Sequence, residues 1–225
     1  MHSTLMEKAY QGLRSKFETG ELLPGSQLVN RTLCKELGVS TIPLREAIQR
    51  LSSEGLVEHI PNAGAFVRKL DRRELLQLIE LRNSMEMFSL ERAIVQIDED
   101  QLEQLEDICT KWREMAHAMR ERGDHSLKGD DNRNWIENDI KLHNILVEAS
   151  GNIWLKKVSE DLRLMSHIAT SKPDEMKLGR VAKNYRIHRS IVRAMRKRNL
   201  SLASYWMKQH GMYSLEATKK NFAED

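Results

Sequence analysis

Asp139 and His143 stand four residues apart in a stretch with helical periodicity, which puts a carboxylate and an imidazole on one face, within reach of a single ion. Two more histidines, His188 and His210, fall on later helical segments. On one straight helix their 22-residue separation would span about 33 Å, so a shared ion requires a hairpin. The break at Asn199-Leu200-Ser201 provides one. The same spacing also suits hydrogen-bonded core polar residues, so it does not by itself establish a metal site. His2, His59, His117, His125 and His167 have no ligand partner at such spacing and read as surface or satisfied core residues.

Arginines form the second group able to do chemistry. Arg45 lies in a short helix near the N-terminus, where a guanidinium could read a base edge or pair with a neighbouring glutamate. Arg82 has Glu86 one turn away, the spacing of a helical salt bridge. The run Arg193, Arg196, Lys197 and Arg198 reads as a solvated helix end favoured by the dipole.

The elements that must position these residues follow from periodicity and turn chemistry. Leu5, Met6, Ala9, Leu13 and Phe17 recur at helical spacing and stop at Gly20. Asn30 is placed to cap a short helix carrying Leu33 and Leu37, which Gly38 ends. A third helix starts near Ser40 or Thr41 and tolerates Pro43 in its first turn; its apolar face is Ala47, Ile48 and Leu51. Residues 56–60 alternate like a strand, Pro61-Asn62-Ala63-Gly64 turns, and Ala65-Phe66-Val67 returns. Two helices around a short turn followed by a hairpin make a winged helix-turn-helix, expected over residues 1–70.

From Asp71 onward the strand signal vanishes. Asp71 and Glu74 form a capping-box pattern ahead of one long helix, and a second runs over about 98–122 with Leu102, Leu105, Ile108 and Trp112 on its apolar side. Residues 123–131 are polar and glycine-containing, hence a loop. Further helices are expected around 132–149, 153–170, 180–198 and 201–220, with breaks that include Ser171-Lys172-Pro173. Residues 71–225 therefore read as an all-α antiparallel bundle, and the fold class as mainly α with a small β wing.

Composition narrows the function classes. A hydrophobic share of 40% beside 31% charged residues describes a soluble globular protein, and no apolar run approaches the roughly 20 residues of a membrane span. Without a signal-peptide core at the N-terminus, the expected location is cytoplasmic. Residues 1–70 hold nine Lys and Arg against seven Asp and Glu, so charge alone does not point to nucleic acid. Cys34 and Cys109 lack CxxC spacing and are expected to be buried, reduced thiols. A metal-dependent enzyme is the rival class, but HExxH, nucleophile-elbow, Walker and dinucleotide patterns are all missing.

The ordered run Pro24-Gly25, Leu28, Leu33, Glu36-Leu37-Gly38-Val39-Ser40, Pro43-Leu44-Arg45-Glu46-Ala47-Ile48, Arg50-Leu51, Glu54-Gly55-Leu56-Val57 and Gly64-Ala65-Phe66-Val67 closely resembles the GntR family of bacterial repressors. That resemblance implies operator DNA as partner, with Arg31, Ser40, Thr41, Arg45, Asn62 and Gly64 at positions that meet it. Two positions depart from the family: Thr41 and Ala63 stand where an arginine, or at the second an arginine or other polar residue, is usual. Residues 72–215 resemble the FCD ligand-binding domain of the FadR-type subgroup, whose metal-binding members show Asp-x3-His and two later histidines. The resemblance implies Asp139, His143, His188 and His210 as ligands to a divalent ion. A set of one Asp and three His leaves open positions, so zinc, nickel or manganese would suit it. It further implies a homodimer, and a small organic or sugar acid effector that Arg82 would pair with in the bundle cavity. Arg163, within the fourth bundle helix, is a further pocket candidate. A structural metal with constitutive DNA binding is the alternative.

Overall fold

The computed structural model describes residues 4–170 and 176–221, with only the backbone at His167, Thr170 and Asn221. His2 and the Ser171-Lys172-Pro173 break therefore lie outside the described residues, as does the side chain of His167. Contacts divide the chain into two compact units, Met1–Asp71 with Leu164–Pro173, and Arg72–Arg163 with Asp174–Asp225.

The first unit contains α1 (Leu5–Glu18), α2 (Asn30–Leu37), α3 (Thr41–Ser53), β1 (Val57–Ile60) and β2 (Gly64–Val67). Thr4 caps α1 by accepting from the backbone N–H of Glu7 at 3.1 Å. Gly38 ends α2 at φ +62°, a left-handed conformation that a side chain would resist. The apolar faces of α1 and α3 then meet: Leu13, Phe17, Leu44 and Leu51 are all fully buried. Each such side chain removed from water contributes roughly 1.5–3 kcal/mol. Leu164 and Ile168, near the end of α7 (Ile153–Thr170), belong to the same core. The two strands pair antiparallel from Val57 opposite Val67 to Ile60 opposite Gly64.

The second unit is built from α4 (Arg72–Gln96), α5 (Glu99–Arg122), α6 (Gly129–Ala149), the first part of α7, α8 (Leu178–Arg196) and α9 (Leu200–Asn221). Helix α4 packs on α6 and α9, and α8 on α5 and α9. Asp98 and Gln101 form a reciprocal capping box at the start of α5. Trp112 and Trp135, both buried, stack with ring centroids 4.6 Å apart in the bundle core. No helix among the described residues is long and apolar enough to cross a membrane.

Four local expectations differ. Asn30 is the first residue of α2 and does not cap it: Val29 holds the cap position and no side chain closes it, because the extended backbone falls one residue earlier. Helix α6 begins at Gly129, inside the segment expected to be a loop, with Asp130 and Asp131 in its first turn. Those carboxylates suit the positive helix end, a signal hidden by the two glycines. The basic run is not simply solvated: Arg196 pairs with Glu99 and Glu106, and Arg198 donates to the carbonyls of Ile94 at 2.7 Å and Ile97 at 2.6 Å. Arg198 itself sits at φ 51° between α8 and α9, so it turns the hairpin while engaging the end of α4. Cys109 is buried, and burial pushes its thiol up to about 12, but Cys34 is partly exposed on α2.

Gly211 sets how closely α9 can approach α4. A Cβ there would lie 2.9 Å from Asn83 Cγ and 3.3 Å from Asn83 Cβ, while Asn83 Nδ2 donates to the Gly211 carbonyl at 3.1 Å. Alanine gains about 1 kcal/mol of helix propensity, whereas overpacking costs about 1–3 kcal/mol. Gly211→Ala is therefore expected to lower the unfolding midpoint, and to lower it less in an Asn83→Ala background; equal losses in both backgrounds, measured by denaturant unfolding, would contradict this packing.

Candidate DNA-contacting head and buried histidine cluster

Helix α3 has two faces with different fates. Leu44, Ala47, Ile48 and Leu51 are buried, leaving Thr41, Ile42, Arg45, Glu46 and Gln49 on the outer side. Arg45 makes no ion pair among the described residues, so the alternative of a surface arginine held by glutamate is not realised. Arg50, one turn and a residue later, is held by contrast: it pairs with Glu7 at 2.9 Å and Glu54 at 3.2 Å, and lies 3.6 Å from the Tyr10 ring centroid. Ser40 is the N-cap residue of α3, yet its hydroxyl makes no capping bond. Arg31, Ser40, Asn62 and Gly64 are all exposed.

The wing tip depends on unusual backbone. Asn62 adopts φ 62° and Gly64 φ 107°, the latter a conformation rarely open to L side chains. Glycine is thus required at position 64 by its backbone angle, since an added Cβ would meet only Gln27 Nε2 at 3.5 Å. Gln27 also donates to the Ala63 carbonyl at 2.7 Å, tying the tip to the segment before α2. Ile42, 72% exposed at the start of α3, is an apolar residue whose exposure the sequence reading missed. Its position in the first turn, opposite the buried face, was the available signal.

In the second unit, His143 on α6, His188 on α8 and His210 on α9 come together, each buried. One ring nitrogen from each lies within 4.8 Å of the others. The α8–α9 hairpin closes the gap that a straight helix would leave, and the His188 and His210 ring centroids are 4.6 Å apart. Asp139, the fourth expected member, sits at the edge with 35% of its side chain exposed. Its Oδ1 is 3.9 Å from His143 Nε2 and 3.8 Å from His188 Nε2, and it does not join the tight three-histidine group. His59, His117 and His125 are exposed and take no part.

A residue not singled out as part of this cluster lies beside it. Glu86 on α4 is 5% exposed, and its Oε1 is 3.3 Å from His143 Nδ1, 3.0 Å from an Arg163 terminal nitrogen and 3.2 Å from Arg82 Nε. Its Oε2 is 3.4 Å from His210 Nδ1. The Arg82–Glu86 bridge expected from spacing is therefore formed. Arg163, at 6% exposure, is the more deeply placed guanidinium, and its Nε has no hydrogen-bond partner among the described residues. The indole N–H of Trp112 has none either, and that ring lies 4.9 Å from His188.

Burial and neighbouring charges move four of these groups, Glu86, His143, His188 and Asp139, from their ordinary values. Burial pushes the Glu86 carboxyl up, but His143, Arg82, His210 and Arg163 outweigh it and hold the group well below the usual carboxylate range. Burial, reinforced by Arg163, depresses His143 well below the ordinary imidazole value despite Glu86 and Asp139. Burial and the neighbouring His210 bring His188 down to about 4. Burial likewise raises Asp139, and the surrounding imidazoles and Arg163 bring it back below its ordinary value. His143 and His188 are thus neutral near pH 7, with lone pairs free to coordinate. His188 Nδ1 lies 2.8 Å from the Asn184 carbonyl, which leaves Nε2 facing the cluster. The donor set therefore fits a divalent cation: three converging imidazoles and a nearby carboxylate.

A winged helix-turn-helix together with an all-helical domain that holds a buried polar centre is the architecture of a DNA-binding regulator. Comparison with known proteins agrees and makes the assignment specific. Residues 5–67 match the bacterial regulatory proteins of the gntR family, and residues 77–212 match the FCD domain. The chain belongs to the GntR family of transcriptional regulators, in its FCD-containing FadR subfamily. It is 28% identical to the gluconate operon transcriptional repressor of Bacillus subtilis over 193 residues, covering 83% of this chain and 74% of that one. Identity to the transcriptional repressor RspR of Escherichia coli is also 28%, over 204 residues, covering 91% and 84%. Among solved structures, McbR/YncC of E. coli shares the fold with a TM-score of 0.81 at 16% identity, covering 98% of this chain and 100% of that one. These relatives are regulators and not enzymes, which removes the metal-dependent enzyme as a reading.

Proposed function

We propose that this regulator is a homodimeric repressor whose operator binding is controlled by a small carboxylate metabolite captured at a divalent ion in the helical domain. The observation that carries this reading is the charge balance of the buried centre. Glu86 pairs with two guanidiniums, Arg82 and Arg163, and a second carboxylate, Asp139, lies at the edge beside His143 and His188. A divalent cation held by His143, His188, His210 and Asp139 adds two positive charges, and burying them uncompensated is costly. An anionic ligand relieves that cost. The unpartnered Arg163 Nε and Trp112 indole N–H supply donors suited to oxygen acceptors. When bound, zinc, nickel or manganese would offer an open coordination position to a carboxylate oxygen. Repression is supported by the names of the two relatives above.

On the DNA side, Arg45 would read a base edge in the major groove, with Thr41 beside it and Ile42 suited to a thymine methyl. Arg31, Ser40 and the wing residues Asn62 and Gly64 would meet the backbone or the adjoining groove. Two heads on a dimer would engage two half-sites, and effector binding would alter their spacing or mobility.

A thermal-shift screen of organic and sugar acids tests the sensor, run with each metal and again with chelator, followed by operator selection with any hit. One acid is expected to raise the melting temperature only when metal is present, and to change operator affinity. A protein whose melting and operator binding respond to no acid, with or without metal, would overturn effector control. Failure to bind any duplex of a randomised pool at low salt would overturn the DNA assignment itself.

A further inference from the structure

Three imidazoles that present one nitrogen to an ion must each fix the other nitrogen outward, because an imidazole free to rotate or change tautomer binds metal poorly. For His188 the backbone does this, with Nδ1 2.8 Å from the Asn184 carbonyl. His143 and His210 have no comparable backbone acceptor among the described residues. Their Nδ1 atoms instead approach the two different oxygens of one carboxylate, His143 at 3.3 Å from Glu86 Oε1 and His210 at 3.4 Å from Oε2. His143 Nδ1, His210 Nδ1 and Glu86 Oε2 are buried and have no hydrogen-bond partner among the described residues, so each is left needing one at ion-pair distance from the others. Closing those two short gaps would satisfy all three at once.

We propose that Glu86 is the positioning residue of the metal centre, its two carboxylate oxygens accepting the Nδ1–H groups of His143 and His210 so that both rings turn Nε2 inward. This rests on the metal reading given above. Glu86 lies on α4, His143 on α6 and His210 on α9, so a single carboxylate sets the orientation of ligands from two other helices. Arg163 and Arg82 clamp the same carboxylate at 3.0 and 3.2 Å. A Glu86 that served only as partner to those arginines would leave the histidine tautomers undetermined, which separates the two roles experimentally.

The test uses the full-length protein, stripped with chelator and titrated with zinc against a chromophoric competitor. Glu86→Gln keeps the size of the side chain but replaces one acceptor oxygen by a donor amide, so one imidazole loses its anchor. Zinc affinity is expected to fall about 10–100-fold while helix content is retained. In wild-type protein carrying 15N-histidine, multiple-bond 1H–15N spectra are expected to show His143 and His210 protonated at Nδ1, before and after zinc. Wild-type affinity in Glu86→Gln, or a proton on Nε2 of either histidine in the wild type, overturns the role of Glu86 and leaves the metal centre standing. Wild-type protein that takes up no zinc overturns both. Should Glu86→Gln fail to fold, the wild-type tautomers decide.

Discussion

Purified protein carrying His188→Ala or His143→Ala is expected to hold no divalent ion, where the wild type holds or takes up about one per chain. Removing a ligand should cost more than the roughly 10–100-fold that changing an outer-shell partner costs, because a lost lone pair cannot be replaced by reorientation. His188 is the more decisive position: it is fully buried, its Nδ1 is held by Asn184, and its Nε2 lies 3.4 Å from His143 Nε2. Its ring also packs against Trp112, so the alanine leaves a cavity and lowers stability by a few kcal/mol. Metal content by elemental analysis must therefore be read beside circular dichroism. His117→Ala, at an exposed histidine, serves as the control and should keep its ion. Stoichiometric metal retained by both His143→Ala and His188→Ala would reject the site.

Arg45→Ala is the second large effect. A bidentate arginine–guanine contact contributes about 1–3 kcal/mol of discrimination, so operator affinity should drop roughly 5- to 150-fold. Affinity for random duplex should fall far less, since non-specific binding rests on phosphate neutralisation. Arg45 is exposed and makes no ion pair among the described residues, so little of the loss can come from the fold. Arg50→Ala is a useful contrast, because that side chain joins α1 to α3 through Glu7, Tyr10 and Glu54. Its effect should appear as lost stability of the head. Equal losses on operator and random DNA for Arg45→Ala, at fixed salt, would refute base reading.

The head was legible in the sequence because its determinants are local. Leu44, Ala47, Ile48 and Leu51 repeat at helical spacing, Gly38 stops α2 where only a left-handed residue fits, and the strands alternate around Pro61-Asn62-Ala63-Gly64. The six helices of the second unit were readable for the same reason, apart from the start of α6, where glycines masked a favourable first turn. The spacing of Asp139 and His143 put both on one face of α6, and the break before α9 allowed a hairpin between His188 and His210.

What only the tertiary structure decided is which buried charges share a centre. Glu86 looked like half of an ordinary i,i+4 bridge to Arg82, and Arg163 like a helix residue 77 positions away. Their meeting with His143 and His210 depends on how α4, α6, α7 and α9 pack, and periodicity carries no information about that. The edge position of Asp139 and the close approach at Gly211 belong to the same category. A side chain's spacing along its own helix is set by covalent geometry. Its partner across the core is set by the packing of every other helix, a property of the whole chain and of no segment within it.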